Sequence, residues 1–173
     1  MFELSAEALA IIKRYQMMRH PEGGYYAEFY RSSGTISGNE LSSTHDGPRS
    51  FMTSIFFMLT SGEISRLHRL RSDEIWYFHC GASVTVHIIT PGGRYKTKFL
   101  GSFSDSRACH QVVVKAGSWF GATIDSPDSV ALVGCAVAPG FDFADFELAD
   151  RTALAKQFPQ HKAVIERLTA DYT

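Results

Sequence analysis

No run of apolar residues in this chain approaches the roughly 20 needed to cross a bilayer. The most apolar stretch, Ser54 to Leu59, is far shorter. Met1-Phe2-Glu3-Leu4 opens neither a basic segment nor a long apolar one, so no signal peptide is expected. Cysteine is scarce: Cys80, Cys109 and Cys135 are odd in number, far apart and without a CxxC pair. A disulfide framework is thereby disfavoured, and free thiols in a reducing cytoplasm fit better. With no basic neighbours to activate a thiolate, the three are expected to be buried small apolar residues. An excess of charge of one sign is missing as well. The 17 Lys+Arg and 18 Asp+Glu leave a formal net charge of -1, and the charges are interspersed, so nothing supplies the basic field that nucleic acid or anionic membranes require. The expectation is a cytoplasmic protein with no nucleic-acid and no membrane partner. Internal repeats, low-complexity tracts and linkers are also absent. A chain of 173 residues is then one domain, large enough to bury about 70% of its unfolded surface without a metal or disulfide to hold it.

What the chain has in quantity is aromatic residues, 13% with 13 Phe, which strands favour. Ser5 to Met18 reads as a helix capped by Ser5, with Leu9, Ile11, Ile12 and Tyr15 on its apolar side; His20-Pro21-Glu22-Gly23-Gly24 stops it. Strands are expected over Tyr25–Arg31, Phe51–Leu59, Ile64–Leu70, Glu74–Cys80, Val84–Thr90, Tyr95–Leu100, Gln111–Lys115, Trp119–Ile124 and Val130–Ala138, with Thr35–Pro48 a loop. Two short helices, Asp150–Phe158 and Gln160–Leu168, break at Pro159. Many short strands with helices pushed to the ends predict an all-β antiparallel barrel or sandwich with flanking N- and C-terminal helices.

The stretch from Gly62 to Gly81 carries the chemistry. In a strand alternate side chains share a face, so Arg66, His68 and Leu70 point one way. The short Arg69–Asp73 segment folds the chain back and places Glu74 on a neighbouring strand near His68, with Trp76 and Phe78 on the face of Glu74. An imidazole and a carboxylate among aromatics is the composition of a small-molecule pocket. A hydrogen-bonded structural pair is the alternative for His68 and Glu74, and Trp76 and Trp119 can equally be core.

Gly62, His68, Glu74 and Gly81 also fall in register with the first cupin motif, with Leu70 where a second histidine would stand. The second motif keeps only Gly117, and Phe120 occupies the position of the last histidine. Together with His20-Pro21-Glu22-Gly23-Gly24-Tyr25, Ser65 through Trp76, and Val133-Gly134-Cys135 through Glu147, the chain from about His20 to Leu154 resembles the fifth cupin family, a set of largely uncharacterised proteins. That resemblance implies a double-stranded β-helix, or cupin jelly-roll barrel, a homodimer, and a pocket like that of sugar-nucleotide epimerases.

Two remaining ligands, His68 and Glu74, hold a divalent metal only weakly. His79, His87 and His110 are further candidates, although His79 has the wrong parity. No metal or other cofactor is expected. The acidic run Asp142, Asp145 and Glu147 reads as the solvated side of an amphipathic segment. The favoured function is a small-molecule-binding cupin, a metal-independent isomerase or epimerase on a carbohydrate-like or carbonyl substrate. His68 would be the base, Glu74 its orienting partner and Tyr26 a proton donor on the other face. Arg31 and Arg66 would hold an anionic group, and Trp76, Phe78, Trp119 and Phe120 would line the substrate site. A non-catalytic metabolite-binding module and a metal-dependent oxygenase or isomerase are the alternatives.

Overall fold

The computed structural model describes residues 4–41 and 45–170. Helix α1, Ala6–Tyr15, starts where Ser5 Oγ accepts the Ala8 N–H at 3.2 Å, one of the orphan donors of a helix start. It stops earlier than Met18 because Gln16 turns left-handed (φ 52°) and bonds back to Ile12. Met18–Arg19 is already strand β1.

The strands that follow are β2 (Tyr25–Arg31), β3 (Thr35–Ile36), β4 (Arg49–Ser50), β5 (Thr53–Thr60), β6 (Ile64–Leu70) and β7 (Asp73–Gly81). Next come β8 (Val84–Ile89), β9 (Tyr95–Leu100), β10 (Gln111–Val114), β11 (Trp119–Ile124) and β12 (Val130–Ala138). A 3-10 turn at Phe143–Asp145 leads to β13 (Phe146–Leu148), and helices α2 (Arg151–Gln157) and α3 (Lys162–Leu168) close the chain. The loop expected over Thr35–Pro48 contains β3, which pairs with β4; residues 42–44 of that loop lie outside the described residues. Two exposed residues, Phe51 and Met52, precede β5 rather than forming it.

Two antiparallel sheets hold these strands, one ordered β1-β2-β5-β12-β7-β10 and the other β13-β6-β11-β8-β9. The sheets form a jelly roll around one interior, and among the described residues no ladder joins them into a closed barrel. Phe57, Trp76, Val86, Ile88, Phe120 and Val133 from both sheets make the central core. Helix α1 covers one outer face over Met58, Val130 and Leu132. Helices α2 and α3 cover the other, where Leu154, Phe158, Ile165 and Leu168 pack on Leu67, Ile89 and Trp119. That cover explains why β8 and β11 are buried at every position, while β9 alternates. Among the described residues no helix is long and apolar enough to cross a membrane.

One irregularity sets up the site. Phe120 pairs with His68 and Ala122 with Ser65, so β6 advances three residues while β11 advances two. An extra residue in one strand is a β-bulge, and it resets which side chains face inward. Ser65 and His68 both turn to the interior, and Arg66 does not. Gly121 lies opposite the bulge, where a Cβ would come 2.5 Å from the Ser65 carbonyl oxygen. Gly121→Ala is therefore expected to cost about 1–3 kcal/mol through overpacking, measured as a lowered midpoint in urea unfolding. An unchanged midpoint would show that β6 absorbs the methyl without strain.

Candidate functional site

The bulge leaves the Arg66 backbone groups available to side chains and loops. Its N–H donates to the Glu22 carbonyl at 2.8 Å, and its carbonyl accepts from His68 Nδ1 at 2.7 Å. A carbonyl only accepts, so Nδ1 carries a hydrogen and Nε2 is the ring nitrogen left for chemistry. Nε2 lies 3.2 Å from Glu22 Oε2. Glu22 comes from the tight His20–Gly24 turn, closed by Gly23 N–H to His20 O at 3.0 Å and His20 N–H to Gly24 O at 3.1 Å. Gly24 has φ +68°, and a Cβ there would meet the Met58 carbonyl oxygen at 2.6 Å. Only glycine takes that conformation against so close a backbone. Ser65 Oγ donates to Glu22 Oε1 at 2.7 Å, and His20 Nδ1 sits 3.2 Å from Oε2. Glu22 thus stands between two imidazoles, all three side chains being buried.

These groups line a cavity of about 590 Å³ between the sheets, a volume typical of small-molecule sites. Glu74 and Trp76 face it from β7, in the sheet opposite His68. Among the described residues nothing makes a well-formed hydrogen bond to the buried Glu74 Oε2 or Trp76 Nε1, which is costly for polar atoms unless something meets them.

The two carboxyls are driven apart. Burial raises Glu22, but the charges of His68 and His20 and the Ser65 hydroxyl outweigh it and leave the group below its ordinary value. Glu74 is pushed up to about 8 by burial and then by the charge of Glu22, with the Trp76 indole and Cys135 thiol opposing. Burial lowers His68 despite Glu22 beside it and the Arg66 carbonyl. At neutral pH the cavity holds an ionised Glu22, a basic His68 and a protonated Glu74.

The chain matches the family model described as Cupin superfamily (DUF985) over residues 9–149. The chain is a cupin of that family. A protein from Shewanella oneidensis is 37% identical, with 99% of this chain and 100% of that one covered and a TM-score of 0.84. A hypothetical protein from Leishmania major is 34% identical over 96% and 99% of the two chains, at a TM-score of 0.85. An oxalate decarboxylase variant from Bacillus subtilis is 18% identical, covering 88% of this chain and 37% of that one at a TM-score of 0.52; it shares the fold. No curated protein matches at a significant level.

Within this cupin the motif positions do not assemble into a ligand set. Leu70 and Phe120 bring no donor atom, His68 Nε2 faces Glu22 at 3.2 Å, and Glu74 faces the cavity from the other sheet. Among the described residues no three His, Cys, Asp or Glu side chains are arranged around a common ion position. His79 is exposed beside Phe56, and His110 packs against Phe103 with the rings tilted. His87 faces the helices, bonded to Tyr95 Oη at 2.8 Å and Thr123 Oγ1 at 3.1 Å.

Other sequence-derived positions fall on both sides of the line. Tyr26 lines the cavity, edge-on to His20 at 4.8 Å. Arg31 stands at the rim. Phe120 backs His68, ring to ring at 4.0 Å. Arg66, expected to hold a substrate anion, is turned out by the bulge, reaches the Pro21 carbonyl and does not line the cavity. Trp119 belongs to the outer cluster under α2 and α3, because the face of β11 opposite Phe120 is also covered. Phe78 packs beside His110, away from the cavity; the register shift between Leu132 and Val133 of β12 falls beside it. Glu74 was expected on a strand adjoining that of His68, but the Arg71–Ser72 turn carries the chain from one sheet to the other. Asp145 is not solvated: it is buried and takes a bidentate bond from buried Arg49 at 2.6 and 2.7 Å, whereas Asp142 and Glu147 are exposed. Cys80 and Cys109 are exposed, and only Cys135 is buried. The residues missed by sequence reasoning are His20, Glu22 and Ser65. Their one signal was two ionisable residues in a turn that ends in paired glycines.

Glu74 also sets a pH dependence. The unfolded carboxyl loses its proton near 4.5 while the folded one keeps it to about 8, so the unfolded state binds fewer protons across that window and stability falls as pH rises through it. Glu74→Gln removes the penalty. Relative to wild type it is expected to gain roughly 3 kcal/mol near neutral pH and nothing well below the unfolded carboxyl range. Urea unfolding across that pH range checks this; a gain independent of pH would assign the effect to packing instead.

Proposed function

We propose that this cupin is a metal-independent proton-transfer enzyme, an isomerase or epimerase acting on a small carbonyl or carbohydrate-like substrate. The observation that carries the reading is two buried carboxyls facing one cavity from unlike surroundings, Glu22 among two imidazoles and a hydroxyl and Glu74 in a wall of apolar groups. Environments that push paired groups apart mark acid and base roles. His68 Nε2 takes the proton from the carbon next to the substrate carbonyl, and the Glu22 carboxylate, 3.2 Å away, stabilises the imidazolium that forms. The C–H electron pair becomes the new C=C bond, and the carbonyl pair moves to oxygen. The Glu74 O–H and the Trp76 N–H, whose polar atoms are otherwise unmatched, receive that oxygen, with Glu74 supplying its proton. Donors placed where charge develops are a large source of rate enhancement. The His68 imidazolium, or Tyr26 on another wall, then protonates carbon as the enol O–H returns its proton to the Glu74 carboxylate, which restores the carbonyl and gives the isomer. Where Tyr26 is the donor, the proton held by His68 passes to its phenolate through solvent. This changes the role of Glu74 from orienting partner to acid and gives the orienting role to Glu22.

The reading is tested by NMR of small ketones in D2O. Deuterium should enter the α position with wild-type protein, and His68→Ala should slow it by about 10²–10⁴-fold. Exchange that survives His68→Ala at the wild-type rate removes His68 as the base. The binding-module alternative is favoured by a ketone that raises the melting temperature without any exchange.

We also infer that two copies pair along β2. Strand β1 covers only Tyr25 and Tyr26, the rest of that edge is unpaired by any described strand, and exposed Phe29 and Tyr30 flank it. Unprotected edges recruit further strands. Sedimentation velocity should report a dimer that Phe29→Lys converts to monomer; a wild-type monomer rejects the pairing.

A further inference from the structure

The rim of the cavity carries its own chemical preference. Among the described residues Arg31 is the one Lys or Arg that lines it, and its guanidinium is already engaged. Nε and Nη2 donate to the two carboxylate oxygens of Glu28 at 3.1 and 2.7 Å, and Nη1 donates to the Phe141 carbonyl at 3.1 Å. A bidentate pair of this kind satisfies the fork that would otherwise grip a phosphate or carboxylate. Asp142 adds a second acidic side chain to the rim, and Glu22 places a third carboxylate in the interior. Three acidic groups against one paired arginine make the entrance and floor electronegative. The imidazoles of His20 and His68 add charge only when protonated, and the rest of the wall is aromatic and aliphatic: Phe57, Trp76, Phe141 and Phe146 among them. A cleft lined by one sign of charge with low-dielectric walls concentrates ions of the opposite sign and repels its own.

We propose that the cavity selects non-anionic ligands, uncharged or cationic carbonyl compounds with an apolar body, and turns away phosphates, carboxylates and nucleotides. This rests on the reading of the cavity as the ligand site. It sets the pocket apart from one built for a sugar nucleotide, whose phosphates favour free cationic donors, since the one Lys or Arg among the described lining residues is already paired with Glu28.

The field can be read without a known substrate. The chain has 2 Trp, and Trp119 lies outside the cavity, so Trp119→Phe leaves Trp76 on the cavity wall as the sole fluorescent indole. Quenching by caesium, iodide and acrylamide is compared at constant ionic strength, each normalised to free tryptophan amide. Caesium should reach Trp76 better than iodide by roughly threefold or more, and Glu28→Gln with Asp142→Asn should bring the two together. Iodide quenching as strong as caesium quenching, or a ratio unmoved by the rim substitutions, overturns the proposal. A second measurement uses the unaltered chain: phenylacetone should raise the melting temperature more than phenylpyruvate, which differs by one carboxylate. The reverse order also overturns it. Neither readout requires turnover, so absent deuterium exchange with an intact caesium preference rejects the reaction and keeps the ligand class. The opposite pair of results does the converse.

Discussion

The site depends on one extra residue in β6. The bulge opposite Gly121 removes Arg66 from the sheet ladder, and its two backbone groups are then spent on Glu22 and His68. The N–H ties down the turn that carries Glu22, and the carbonyl sets the tautomer and ring orientation of His68. Without the bulge, β6 would run in simple alternation, and Ser65 and His68 would lie on opposite faces. With it, serine and histidine converge on one carboxylate from the same strand. Backbone irregularities beside functional sites commonly re-aim side chains in this way.

Around that arrangement, burial does most of the electrostatic work. Glu22 and Glu74 share a cavity, yet one has two imidazoles and a hydroxyl around it, and the other has an indole and a thiol. A carboxyl in an apolar wall keeps its proton, and an ionised neighbour strengthens that preference. The charge on Glu22 therefore acts twice, by stabilising a protonated imidazole and by holding the proton on Glu74. The Arg49–Asp145 pair contributes from behind. It anchors the 3-10 turn next to Phe143 and Phe146, which line the cavity, using a buried ion pair whose loss on one side would strand a charge.

In this cupin the family's motif persists as geometry more than as ligand chemistry. His68 and Glu74 keep their places, and the positions of the other two donors are filled by Leu70, which lines the cavity, and Phe120, a core residue packed on His68. The polar network around His68 draws instead on His20 and Glu22, which lie ahead of the motif in the chain. The jelly roll makes this possible because β2 and its preceding turn run beside β5, across the interior from β6.

Much of the strand pattern was legible in the residues themselves. Ile64–Leu70, Tyr95–Leu100, Trp119–Ile124 and Val130–Ala138 have their expected bounds, because alternation and bounding turns are local properties. So were the flanking helices, the cupin resemblance, and the positions of His68, Glu74 and Trp76 on their strands. Tertiary structure alone decided that β6 and β7 belong to opposite sheets, that Arg66 faces out, that Trp119 is covered by α2 and α3, and that Asp145 is buried against Arg49. It also decided the partner of His68. Strand parity is a rule about neighbours in sequence, whereas a bulge depends on how close the facing strand comes, and an ion pair depends on which distant loop arrives beside it. Glu22 and His68 are brought together by chain packing, and no spacing within either segment encodes that distance.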